Sequence, residues 1–239
     1  DYREKLTAAG KFPGGFRKRE GAPNEKEVLT MRMMDRPIRP LFPDGFIDEI
    51  QIQAWVMSHD GQNDTDVLAC TAGSAAVCLT DAPFMGPVAT VRVGRIMTDD
   101  GETFVLNPTV AQMEYSDLDL VLSGHPNGIN MIEVGAAEVE DEVVLDAIRF
   151  GLEEGIKPII ELVLELREKS GAPEADAGTL HLPPDDVMQT VKDKVYDRLV
   201  EARKIHGKKE RNDAVGELRE EVLHDCFALP QDAPYAEYK

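Results

Sequence analysis

The sequence predicts an α+β fold: a mixed β-sheet with packed helices, followed by a small all-helical domain. Three observations carry this. Short strand-like runs, the first alternating at period two and the later ones bounded by turn residues, cluster between residues 50 and 134, runs with helical spacing follow from 138, and the composition changes sharply between 170 and 184. With 239 residues and 42% apolar content, the chain is long enough to bury a sizeable core.

The first element is announced by Asn24 with Glu27 three residues on, a capping-box pair, ahead of Val28, Leu29, Met31, Met33 and Met34. Pro37 and Pro40 are expected to end that helix and hold Asp35 to Pro40 extended. Ile50, Ile52, Ala54 and Val56 alternate with Gln51, Gln53 and Trp55, which predicts a strand with one apolar face. Small residues from Thr65 to Leu79 predict a closely packed helix, with Thr65 or Asp66 available as its cap.

Strands are then predicted at 88–96, 103–106, 118–122 and 129–134. The intervals are too short for crossover helices, so the sheet should be largely antiparallel or mixed. Helices are expected at 138–152 and 157–169, with Gly155 and Pro158 placed to interrupt or bend them. The predicted partition is a first domain over 1–170, a Gly- and Pro-bearing linker over 171–183 and a helical domain over 184–239. Its helices should run from Asp185 or Asp186 to about Gly207 and from Asn212 to Phe227.

The net charge of −19 is unevenly spread. Residues 1–45 hold 10 Lys/Arg against 7 Asp/Glu, whereas the remainder holds 16 against 38. A local positive surface on an acidic body suits a polyanion held at one place. The positive charge centres on a loop with Pro13, Gly14 and Gly15 followed by Phe16, Arg17, Lys18 and Arg19, which offers a ring for base stacking and cations for phosphates. The plainer alternative is a solvated basic turn whose ring tucks into the domain. Arg36 and Arg39 are either paired locally, with Asp35 and Asp44 at hand, or placed to meet an anionic backbone.

Other chemistry is sparse. Cys70, Cys78 and Cys226 sit in apolar runs and read as buried thiols, and the five histidines form no HxH or HExxH pattern. Asp117 and Asp119, two apart on one strand, either bind magnesium or are simply solvated. Asn63, Asp64, Thr65 and Asp66 occupy a helix N-terminus that could hold phosphate, except that the carboxylates would compete for its N–H donors and repel the anion. With no signal peptide or long apolar run, a cytoplasmic setting with no membrane partner is expected, and the start at Asp1 without an initiator Met suggests a piece of something longer.

At Pro13-Gly14-Gly15-Phe16-Arg17-Lys18-Arg19-Glu20-Gly21, Asp35-Arg36-Pro37-Ile38-Arg39-Pro40-Leu41-Phe42, Phe84-Met85-Gly86-Pro87 and Arg92-Val93-Gly94, the chain resembles the first ribonuclease-PH-like core of the polynucleotide phosphorylase family. The likeness continues through Leu106-Asn107-Pro108-Thr109 and Asp117-Leu118-Asp119-Leu120-Val121 into that family's helical domain. The resemblance implies a segment of a phosphorolytic 3′–5′ exoribonuclease, a nucleotidyltransferase of RNA processing and mRNA degradation that converts single-stranded RNA to nucleoside diphosphates. It implies Mg2+ and inorganic phosphate as the parent enzyme's cofactor and co-substrate, a homotrimer, and partners in an RNA-degradation complex. The alternative is a non-catalytic RNA-binding or assembly platform.

The family's loop reads Phe-Phe-Arg-Arg. Here Phe16, Lys18 and Arg19 match three of those positions while Arg17 replaces the second ring. By the same resemblance, Asp64-Thr65-Asp66 stands where the second core has its serine-rich phosphate loop, Asp119 matches one catalytic aspartate, and Met113 stands in place of the other. The implied assignment is RNA contact by Phe16, Arg17, Lys18, Arg19, Arg36 and Arg39, with no catalytic residue and no metal ligand in this chain.

Overall fold

The computed structural model describes residues 1–14, 20–98 and 101–227. Helix α1 (Glu25–Ile38) opens on the capping box read from the sequence: the Asn24 side chain accepts from the Glu27 N–H at 2.8 Å, and Glu27 accepts from the Asn24 N–H at 2.7 Å. The prolines do not act as expected. The helix runs through Pro37 and passes into a 3-10 turn at Arg39–Leu41. Proline's fixed φ is compatible with the helix. What it loses is one hydrogen bond, which the complete burial of its ring offsets, and the Asn130 amide donates to the Pro37 carbonyl at 3.0 Å.

The strand predicted over 50–56 is confined to β2 (Ala54–Val56). Its parallel partner is β1 (Tyr2–Glu4), which is too short to signal itself in the sequence. Helix α2 (Asp66–Cys78) follows. Thr65 takes the cap position without making a side-chain cap, because its hydroxyl instead meets the Tyr2 hydroxyl at 2.6 Å. Gly73 lets α2 lie close to α1, since a Cβ there would stand 2.9 Å from the Met34 sulfur.

Strands β3 (Ala89–Thr98), β4 (Gly101–Leu106), β5 (Ser116–His125) and β6 (Gly128–Ala136) form an antiparallel sheet in the order β4-β3-β5-β6. A four-residue helix, α3 (Val110–Met113), joins β4 to β5 and has its own capping box, Thr109 with Gln112. The two predicted helices after the sheet are continuous. Helix α4 (Asp141–Phe150) passes through a π-helical segment, Gly151–Ile156, into α5 (Lys157–Ser170). Here the glycine serves close approach rather than interruption: a Cβ on Gly151 would stand 2.6 Å from Leu122, and one on Gly155 2.9 Å from Leu106.

The sheet is thus covered on both sides, which is why β3 and β5 read as nearly unbroken apolar runs. One face carries Val91, Val93, Leu118, Leu120 and Leu122 against Ala147, Ile156 and Ile160. The other carries Val121 and Met131 in a cluster with Met33 and Met34 of α1 and Val67 and Cys70 of α2. Polar staples join α2 to this second face: Ser74 accepts from the Val88 N–H at 2.7 Å, and Thr71 from the Thr90 N–H at 3.0 Å.

The chain divides into two compact units, Asp1–Leu180 and His181–Lys239. In the second, α6 (Asp185–Arg203) ends four residues before the predicted limit and α7 (Lys208–Val222) begins four before the predicted start, continuing as a π turn over Leu223–Phe227. Arg198 pairs with Glu221 at 2.7 Å and Lys194 with Asp225 at 2.6 Å between them. The three cysteines are free and buried as expected, and burial pushes the Cys70 thiol up to about 12 and Cys78 to about 11. Among the described residues no helix is long and apolar enough to cross a membrane.

Candidate functional site

The polar centre of the first unit lies where the N-terminus of α2 meets the second face of the sheet. A turn prepares it. Asp60 accepts from the backbone N–H groups of Gln62 and Asn63 at 2.8 and 2.9 Å, and those donors hold its carboxyl down to about 2. The chain then delivers Asp64 and Asp66 on either side of Thr65.

Both carboxylates converge on Arg92, which projects from β3. Its Nη1 lies 3.2 Å from Asp64 Oδ2 and its Nη2 2.8 Å from Asp66 Oδ2. Its Nε lies 3.0 Å from Asp119 Oδ1 on β5, although the N–H is not aimed at that oxygen, so this contact is an ion pair rather than a hydrogen bond. The strand register makes the meeting possible, because Arg92 pairs with Val121 and Gly94 with Asp119, which puts Arg92 and Asp119 on one face. Asn107 holds the backbone there: its side-chain oxygen accepts from the Arg92 N–H at 2.9 Å and its own N–H donates to the Arg92 carbonyl at 2.7 Å.

A second cation backs the cage. Lys26 of α1 bridges Asp64 at 2.8 Å and Glu4 at 3.0 Å, and Glu4 also accepts from the Tyr2 hydroxyl at 2.6 Å. Burial works against the Asp64 carboxylate, yet Lys26 and Arg92 more than offset it and hold the group below the usual range. Asp66 is buried more deeply, and desolvation, helped by repulsion from Asp64, raises it despite Arg92. Burial also disfavours the Arg92 charge, but Asp66, Asp119 and Asp64 together hold its proton more tightly than usual.

A cavity of about 550 Å³ opens beside this cage, lined among others by Lys26, Leu29, Asp64, Asp66, Arg92 and Asp119. An anion entering it would face Asp64 and Asp66, and a divalent cation would have to displace the guanidinium. The donor set therefore does not fit Mg2+ while Arg92 is present, and among the described residues no group of His, Cys, Asp and Glu is arranged to hold a metal ion.

Of the residues singled out from the sequence, Asp119 joins Asp64 and Asp66. Asp117 does not: it points to Arg95, whose Nε is 2.9 Å away and which also pairs with Glu102 at 3.0 Å. The Arg95 guanidinium holds the Asp117 carboxyl below its ordinary value. Met113 lies outside the cavity lining, its sulfur 3.4 Å from where a Cβ on Gly94 would stand. Arg36 pairs with Glu133 of β6 at 2.7 Å, and Arg39 with Asp35 at 2.6 Å; all four side chains remain exposed. Phe16, Arg17, Lys18 and Arg19 lie outside the described residues.

Sequence reasoning missed Arg92 and Lys26 as parts of the centre. A signal for the first was present, since an arginine inside the apolar run from Val88 to Val93 must find a carboxylate when the strand is buried on both faces.

Comparison with known proteins adds the ancestry of this arrangement. Residues 1–83 match domain 1 of the 3′ exoribonuclease family, and residues 86–154 match domain 2. The chain belongs to the 3′ exoribonuclease family. It is similar to the polyribonucleotide nucleotidyltransferase of Geobacter sulfurreducens, with 45% identity over 93% of this chain and 31% of that protein. The enzyme of the same name from Aquifex aeolicus is 42% identical over 99% of this chain and 30% of its own length, and that of a Sulfurihydrogenibium species 46% identical over 93% and 31%. The chain thus spans about a third of the length of these curated relatives. On the family's own division, the cage joins the two matched domains: Asp64 and Asp66 come from the first, Arg92 and Asp119 from the second.

Proposed function

We propose that this chain is the RNA-positioning part of a phosphorolytic 3′–5′ exoribonuclease that attacks single-stranded RNA with inorganic phosphate and releases nucleoside diphosphates. In this reading it contacts RNA and supports a trimeric assembly, while the reaction and its Mg2+ belong to a second core elsewhere in the parent protein. Residues 1–170 form the core, 171–183 the linker and 184–239 the helical domain of a cytoplasmic enzyme.

The observation that carries the assignment is the Arg92 cage. A phosphorolytic centre needs a place for phosphate and a place for the metal that neutralises developing charge. In this reading the cage supplies neither, because its guanidinium and carboxylates are paired with one another. RNA contact falls to Phe16, Arg17, Lys18 and Arg19, with Arg36 and Arg39 in support. Among the described residues the last two are held by exposed ion pairs, which are weak enough to exchange a carboxylate for a phosphate.

The test is to incubate the chain with single-stranded RNA, phosphate and Mg2+ and to measure nucleoside diphosphate release. No sustained release is expected. Turnover abolished by Asp119→Asn would overturn the assignment.

A further inference from the structure

The second unit carries a charge pattern that the core's site does not explain. Residues 181–239 hold 10 Lys/Arg against 13 Asp/Glu, but 5 of those cations fall within the nine residues 203–211 against Glu210 alone. Elsewhere in the unit 5 cations face 12 carboxylates. The basic stretch is the tip of the α6–α7 hairpin, comprising the last residue of α6, the connecting turn and the first turn of α7.

Two features separate this tip from an ordinary solvated turn. Arg203, Lys208 and Lys209 are exposed and, among the described residues, make no ion pair, while Lys204 pairs with Glu201 at 2.7 Å and Arg211 donates to the Ile205 carbonyl at 3.2 Å. Arg203 at a helix C-terminus favours the α6 dipole. Lys208 and Lys209 do the reverse, because they stand at the first two positions of α7, where backbone N–H groups already concentrate positive charge. Gly207 supplies no side-chain cap. Glu210 folds back over it instead, so closely that a Cβ on Gly207 would stand 1.9 Å from Glu210 Oε2. Exposed cations without a carboxylate partner among the described residues, two of them placed against the helix's own field, describe a surface short of negative charge.

We infer that the α6–α7 tip is a second contact for the phosphate backbone of single-stranded RNA, separate from the residue 16–19 loop, with Arg203, Lys208 and Lys209 as the phosphate ligands and Glu210 as the nearby negative charge that weakens their field. The choice of RNA rests on the function proposed above. The contact is mainly electrostatic, because the tip between Arg203 and Arg211 presents five cations and a single small ring, the exposed His206 imidazole.

The experiment uses the whole 239-residue chain and a labelled 20-nucleotide oligoadenylate, titrated by fluorescence anisotropy at several salt concentrations. The variant Arg203→Ala/Lys208→Ala/Lys209→Ala is expected to bind about tenfold more weakly at low salt, with a salt slope lowered by about 2. It should melt no lower than the parent, because two of the removed charges opposed the α7 dipole. Glu210→Gln should bind more tightly than the parent. Unchanged affinity and slope in the folded triple variant would overturn the inference, as would competition by polyglutamate together with failure to bind oligoadenylate, which would mark an acidic protein as the partner. Lys18→Ala/Arg19→Ala, run alongside, separates this contact from the loop. Complete loss of binding in that variant rejects the tip and keeps the loop; retained binding there with loss in the tip variant rejects the loop and keeps the tip.

Discussion

On one face of the four-stranded sheet, Val91, Val93, Leu118, Leu120 and Leu122 are fully buried against the α4–α5 helix; on the other face of the same strands, Arg92 and Asp119 meet Asp64 and Asp66. The first face is held by area removed from water and by shape, to the extent that Gly151 and Gly155 are needed to let the helix down onto it. The second is held in part by charge, and its members depend on each other for the right to be buried. A layer of this kind tolerates loss of a pair better than loss of one partner.

That contrast is broken most directly on the apolar side. Leu120→Ala should cost about 2–5 kcal/mol, read as a lower denaturation midpoint in urea, because the site is closed on all sides and collapses only partly. On the polar side Arg92→Ala should cost about 3 kcal/mol, toward the lower end for a broken buried pair because Asp119 is about half exposed. Arg92→Ala/Asp66→Asn should recover part of that loss, which Leu120→Ala combined with any neighbouring truncation should not. If the double variant is no better than the single, the cage is not held by mutual neutralisation.

Acid sharpens the comparison. Asp64 has a folded-state value below its unfolded one, so its stabilising share is present above the unfolded value of about 3.9 and is lost as pH falls through the folded value. The stability difference between the parent and Asp64→Asn should therefore be full at neutral pH and shrink below about pH 4. Asp66 has the opposite sign: its raised value opposes stability at neutral pH, and that opposition is relieved as pH falls through the folded value toward the unfolded one. Leu120→Ala should show a pH-independent deficit across the same window. The smallest effect is expected at the exposed pairs, where Arg36→Ala and Arg39→Ala should leave the melting temperature nearly unchanged while weakening RNA binding. A large drop in melting temperature would mean that these arginines serve the fold.

Local chemistry by itself determined a good deal. The Asn24–Glu27 capping box and the small residues of α2 each name their element, since the forces involved act within a few residues. The motifs around Phe16, Pro37 and Arg92 disclosed the family, and the apolar settings of the cysteines disclosed their burial. What tertiary structure decided were the exceptions to local rules. Pro37 stays helical because its ring is buried, Gly151 and Gly155 serve a close approach to the sheet, and the Thr65 hydroxyl leaves the cap position for Tyr2. It also decided that Asp119 belongs with Asp64 and Asp66 while Asp117, two residues away, belongs with Arg95, because strand register, which spacing alone does not reveal, chooses the guanidinium each carboxylate meets.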